Sequence, residues 1–187
     1  MSVKIGIIVG SNRSSRAGRS IADWFYNQVK DTPDVEFEII DLKEENLPFL
    51  DEPNPPMMGN YVNESTKKWS AKIDSYDGFV LVAAEYNHGY TAVLKNALDT
   101  LNVEWKRKPV SFVGYGVLGA ARAIEQLVEV TAQLNMVPNP ATAINITDIW
   151  AAVDEAGNVK PENLRGDVGK LVENLVWWTT TLKAAKN

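Results

Sequence analysis

With 187 residues, 45% apolar and 23% charged, the chain has the composition of a globular protein large enough to bury a substantial core. A net charge of −5 and a pI near 5.0 argue against a nucleic-acid partner, which asks for a basic face. The lack of cysteine excludes disulfides, thiol catalysis and thiolate metal sites, and a lone histidine makes a His-based metal centre improbable. No apolar run approaches the ~20 residues of a membrane span, and the N-terminus has no signal-peptide pattern. The expectation is one cytoplasmic domain over residues 1–187 that acts on small molecules.

Residues 3–9 read as a first strand, apolar apart from Lys4 and Gly6. A Gly/Ser-rich turn follows from Gly10 to Gly18, then a helix with Ile21, Phe25 and Val29 on one stripe, which Pro33 stops. A strand at the start of the chain followed by such a turn is where doubly wound folds place a phosphate site. Arg13, Arg16 and Arg19 crowd the first turn of the helix, where the macrodipole disfavours cations and a bound anion would favour them. Arg13 and Arg16 are therefore the candidate phosphate ligands, with Arg19 read as a solvated loop cation. The turn is neither a Walker loop nor G-x-G-x-x-G, so no nucleoside triphosphate site is expected.

Residues 35–41 alternate apolar and polar, as a half-exposed strand near a sheet edge does. Residues 46–61, with Pro48, Pro53, Pro55 and Pro56, are too proline-rich for regular structure. A loop of this length is usually functional or disordered; Phe49, Leu50, Met57 and Met58 favour a wall or flap beside a site. A helix is expected over 64–76.

Residues 79–84 are a continuous apolar run, short enough for a strand buried on both faces. From Thr91 the period changes, with Leu94, Ala97, Leu98 and Leu101 at helical spacing. Between them lie Glu85, Tyr86, Asn87, His88, Gly89 and Tyr90, at the strand's carboxyl end, where open α/β sheets hold their ligands. Their planar side chains suit a flat ring, and His88 reads as a hydrogen-bonding group.

A fourth strand over 110–115 ends in Gly114-x-Gly116-x-x-Gly119. The dinucleotide fingerprint needs an acid ~20 residues further on; Asn139-Pro140-Ala141 occupies that region, and the motif follows the fourth strand, not the first. Tyr115, Gly116 and Gly119 read instead as a loop whose backbone can approach a bound ring. A helix to about Leu134, a fifth strand over 141–146, a polar turn over 154–161 and an amphipathic helix bearing Leu171, Leu175, Trp178 and Leu182 complete the chain. The alternation implies an α/β three-layer sandwich around a five-stranded parallel sheet, with 2-1-3-4-5 as the flavodoxin-like order.

Glu85-Tyr86-Asn87 followed by Leu94-Lys95-Asn96-Ala97-Leu98-Asp99 resembles the NADPH-dependent FMN reductase family, a flavodoxin-like group that includes quinone, azo-dye and chromate reductases. Gly10, Ser11, Arg13 and Arg16 resemble its first motif, and Tyr115-Gly116 with Arg122-Ala123-Ile124-Glu125-Gln126-Leu127 its third. Ala84 and Thr91 stand where the family pattern has proline, which implies a looser loop, since proline would have set φ. The resemblance covers nearly the whole chain. It implies FMN, with its phosphate on Ser11, Arg13, Arg16 and Gly18 and its ring among Glu85, Tyr86, Asn87, His88, Tyr115, Gly116 and Gly119. It further implies NADPH or NADH as co-substrate, ping-pong transfer to a small-molecule acceptor, and no obligatory side-chain acid or nucleophile. Quinones, azo and nitro compounds, metal oxyanions and flavins are all open as acceptors. The choice between NADPH and NADH is left open, with Arg16 and Arg19 as the candidates to contact a 2′-phosphate. A homodimer or tetramer is implied too, with Trp105, Trp150, Trp177 and Met57 as interface candidates that core packing would explain equally well. An FMN-binding electron carrier and a regulatory protein on the same scaffold are the alternatives.

Overall fold

The computed structural model describes residues 2–185. Four parallel strands form the main body of the sheet: β1 (Val3–Val9), β2 (Val35–Asp41), β3 (Gly78–Ala84) and β4 (Pro109–Tyr115), in the order β2-β1-β3-β4. Every residue of β3 and β4 is buried, as their unbroken apolar runs require of strands covered on both faces. β2 lies at the edge and exposes Glu36, in keeping with its alternation. Register sets the strand ends: Val9 pairs with Val82, so β3 runs two residues further, and Ala84 pairs with Tyr115.

One face of the sheet is covered by α1 (Gly18–Val29) and α7 (Val168–Ala184), through Ile21, Phe25, Leu171 and Leu175. The other is covered by α3 (Glu64–Asp74), α4 (Ala92–Asp99) and α5 (Ala121–Gln133), through Trp69, Leu94, Leu98 and Leu127. Two short helices, α2 (Leu42–Glu45) and α6 (Ile149–Ala152), follow the carboxyl ends of β2 and of the last parallel strand. The three-layer flavodoxin-like fold is thus present.

Among the described residues the sheet has seven strands rather than five. The fifth, expected over 141–146, is a strand only in its last part, β6 (Ile144–Ile146); a short β5 (Val137–Pro138) lies before the expected range, both are parallel to β4, and a 3-10 turn over Pro140–Thr142 stands between them. Pro138 and Pro140 have no N–H to give to a ladder, which breaks the strand. β7 (Leu164–Arg165) then adds an antiparallel pair on β6.

Trp105 is a core residue and not an interface candidate. Its ring sits 5.1 Å from Phe79 and 6.4 Å from Trp69, and its indole N–H donates to the Leu98 carbonyl at 3.0 Å. Residues 46–61 are irregular apart from a 3-10 turn at Pro56–Met58. They are nonetheless pinned: Leu50 N donates to Asn96 Oδ1 at 2.9 Å, Asn96 Nδ2 to the Pro48 carbonyl at 2.8 Å, and Tyr61 Oη to the buried Glu104 at 2.8 Å.

Candidate functional site

A cavity of about 290 Å³ opens at the carboxyl ends of β1, β3 and β4. Its walls are Ser11, Arg13, Ser15, Arg16 and Ala17 after β1; Ala84, Glu85 and Tyr86 at the end of β3; Tyr115, Gly116 and Val117 at the end of β4; and Ile149 and Trp150 on α6. This size is at the small end of ligand pockets.

The turn after β1 is tied to its neighbours. Gly10 N donates to the Val82 carbonyl at 2.9 Å, and a Cβ at Gly10 would lie 2.9 Å from that same oxygen, so only glycine lets the backbones approach this closely. Thr91 caps α4 by accepting from Leu94 N at 3.3 Å, while its hydroxyl donates to the Gly10 carbonyl. The threonine that stands in for the family's proline therefore fastens this corner instead of loosening it.

The arginines divide. Arg16 pairs with Asp41, almost fully buried at the end of β2, and its Nε is buried without a partner. Arg19 reaches Asp23 at 3.0 Å, Asp41 at 3.4 Å and Glu44 at 3.3 Å. An internal carboxylate thus offsets the cations that the helix dipole disfavours. Arg13 is exposed, lines the cavity and has no ion-pair partner among the described residues, which makes it the free cation of the site.

Glu85 faces the cavity wall but commits its carboxylate elsewhere. It accepts from Arg122 N at 3.3 Å, from Arg122 Nε at 2.7 Å and from a second guanidinium nitrogen, which locks the β3 loop to the start of α5. Tyr86 and Gly89 exchange backbone bonds of 2.8 and 3.1 Å around Asn87 and His88, whose φ values are 50° and 76°. Two positive φ angles mark a type I′ turn. Asn87 and His88 are the exposed tip of that turn and do not line the cavity. Tyr86 does, and its hydroxyl lies 3.2 Å from Ser11 Oγ.

Tyr115 is buried, and burial pushes its phenol up to about 12, so it stays a neutral hydrogen-bonding group at ordinary pH. A Cβ on Gly18 would lie 2.5 Å from Tyr115 Oη, so Gly18 is there to admit the phenol. Gly119 packs on β6, where a Cβ would meet Asn145 Cβ at 2.6 Å, and it is not a cavity residue. Gly116, at φ 157°, does line the cavity. Ser11, Arg13, Arg16, Glu85, Tyr86, Tyr115 and Gly116 are thus brought together, while Gly18, Asn87, His88 and Gly119 support them from outside. Sequence reasoning missed Asp41 and did not count Trp150 among the site residues. An acid ending a strand beside an arginine cluster was the available signal for the first.

A cation-bearing turn after β1 and a crevice at the strand ends mark a flavodoxin-like α/β protein. Residues 3–151 match the model of the NADPH-dependent FMN reductase family, and the chain belongs to that family. It is 44% identical over 135 residues to an NAD(P)H-dependent FMN reductase of Schizosaccharomyces pombe, covering 71% of this chain and 68% of that protein. It is 26% identical over 185 residues to a 2-hydroxy-1,4-benzoquinone reductase of a Burkholderia species, covering 95% and 97%. Among solved structures, the NAD(P)H:(acceptor) oxidoreductase FerB of Paracoccus denitrificans shares the fold, with a TM-score of 0.67, 21% identity and coverage of 97% and 94%. The chain is an oxidoreductase of this family, with FMN as cofactor and NAD(P)H as co-substrate. The site fits FMN: an unpaired arginine and a second with a partnerless buried Nε share one lining with two tyrosines and glycine backbone. No helix among the described residues is long and apolar enough to cross a membrane.

Proposed function

We propose that the chain is a cytoplasmic, single-domain NAD(P)H-dependent FMN reductase that delivers electrons to a quinone-type acceptor by alternating use of one site. The observation that supports it most is the joining, in one cavity, of the unpaired Arg13 to aromatic and apolar walls. Arg13 and the Ser11 and Ser15 hydroxyls would hold the phosphate, with Arg16 kept in place by Asp41. Tyr86, Tyr115 and Gly116 would flank the ring. When bound, FMN supplies the redox chemistry, taking two electrons from NAD(P)H and giving two to the acceptor; the protein's share is binding and orientation. The side chains agree with that division. Glu85 is engaged by Arg122 and Tyr115 is held neutral, so neither is poised as a base. A quinone is favoured because the outer wall, Val117, Ile149 and Trp150, is apolar, and because a relative that spans nearly the whole chain is named for a benzoquinone. Initial rates with NADPH and benzoquinone varied together should give parallel double-reciprocal lines. Lines that converge would refute the alternating mechanism.

The proposal includes a homodimer. Phe49 is 79% and Met57 69% exposed on the pinned proline-rich segment, with Met58 and Val62 beside them, an apolar surface that a second copy would cover. Light scattering at micromolar concentration should give about twice the chain mass of 20.7 kDa, and the chain mass itself would contradict this part.

A further inference from the structure

Trp150 is 81% exposed, the largest side chain left bare at the cavity. Its backbone is fixed. Gly116 N donates to the Ile146 carbonyl at 3.2 Å, Asp148 N to the Val117 carbonyl at 3.3 Å, and Lys160 N to the Ala152 carbonyl at 2.8 Å, so the β4 loop and α6, which bears the indole, are stitched together at the cavity. Val117 beside it is also exposed, and Tyr86 stands on the β3 loop of the same cavity. One cavity therefore joins a cation, Arg13, to a bare indole, Trp150. A ligand that satisfies both has a phosphate and a flat ring.

We infer that Trp150 is a binding residue for the ring of the flavin, stacking its indole on the isoalloxazine; this rests on the FMN reading above. An indole has only two side-chain torsions to lose, so a rigid backbone that presents it offers a large contact area at small entropic cost. Aromatic stacking on a planar base is worth about ten-fold or more in affinity when the aromatic is cut to alanine.

The test is fluorescence titration of the full chain, stripped of flavin, with FMN and with riboflavin, which lacks the phosphate. Trp150→Ala should weaken both by about ten-fold, and Trp150→Phe should restore most of the loss. Arg13→Ala should weaken FMN and leave riboflavin within about two-fold, placing the two contributions at opposite ends of the ligand. Trp150 lies on the surface, so its removal leaves the core intact. Flavin affinities within two-fold of wild type in Trp150→Ala would overturn the inference. So would a rise confined to the KM for NADPH or quinone, or a loss of dimer with unchanged flavin affinity. Failure of the unaltered chain to bind either flavin would instead sink the FMN reading beneath it.

Discussion

Replacing Glu85 with alanine should destabilise the ligand-free protein by about 2 kcal/mol, before any effect on a cofactor. The carboxylate accepts from Arg122 N, in the first turn of α5, and an N-terminal cap of this kind is worth ~1 kcal/mol. It also accepts from Arg122 Nε and a second guanidinium nitrogen. Arg122 is 38% exposed on its side chain, so once freed it turns into water and recovers hydration. That keeps the ion pair near ~1 kcal/mol, well short of the 3–5 kcal/mol lost when a fully buried pair is broken. For a chain of 187 residues the sum corresponds to a Tm lower by ~4–8 °C. The assay is urea and thermal unfolding of Glu85→Ala, Arg122→Ala and the double variant, with a coupling of ~1 kcal/mol expected between the two sites. Additive losses, or a Tm unchanged in Glu85→Ala, would show that the carboxylate is not the lock between the loops. A loss seen only with FMN present would make it a ligand group.

Gly18→Ala should cost ~1–3 kcal/mol in urea unfolding, because its Cβ would sit 2.5 Å from Tyr115 Oη. The same change in a Tyr115→Phe background should cost clearly less; equal costs would place the strain elsewhere. Thr91→Val keeps the shape but loses the α4 cap and the bond to the Gly10 carbonyl, for ~1–2 kcal/mol. Thr91→Ser should retain most of that, and a neutral valine variant would contradict the fastening role. Alkali should unfold the protein through its phenols. Burial pushes Tyr115 up to about 12, and Tyr61 and Tyr76 are also raised, by burial first and then by hydrogen bonds to Glu104 and Glu38. The unfolded chain gives up these protons near pH ~10. Stability is therefore level below that pH and falls as the pH climbs toward 12. Urea midpoints measured from pH 8 to ~11.5 check it, and midpoints that stay flat above pH 10 would refute it.

The central strands were legible because burial on both faces leaves an uninterrupted apolar run in β3, whereas the edge strand β2 keeps its alternation. The divided fifth strand was not, since β5 and β6 are two- and three-residue pieces that exist only through their pairing with β4. Composition also cannot tell a tryptophan packed on Phe79 from one at an interface, and Trp105 is the former. The arginine cluster stood out in the sequence as electrostatically odd, and it took the fold to bring Asp41 under Arg16 and leave Arg13 free. Asn87 and His88 stood out in the sequence as polar groups in a strand-end loop; the fold adds that their positive φ angles suit them to closing a tight turn.

The claim that most needs testing is that this chain takes electrons from NAD(P)H into FMN held at the β1, β3 and β4 ends. An anaerobic titration of the FMN-loaded chain with NADPH, followed by the flavin's visible absorbance, addresses it directly. Rapid bleaching that is complete at one equivalent of NADPH is the predicted result. Bound flavin that stays oxidised would contradict the account and move the chain to the carrier or regulatory class.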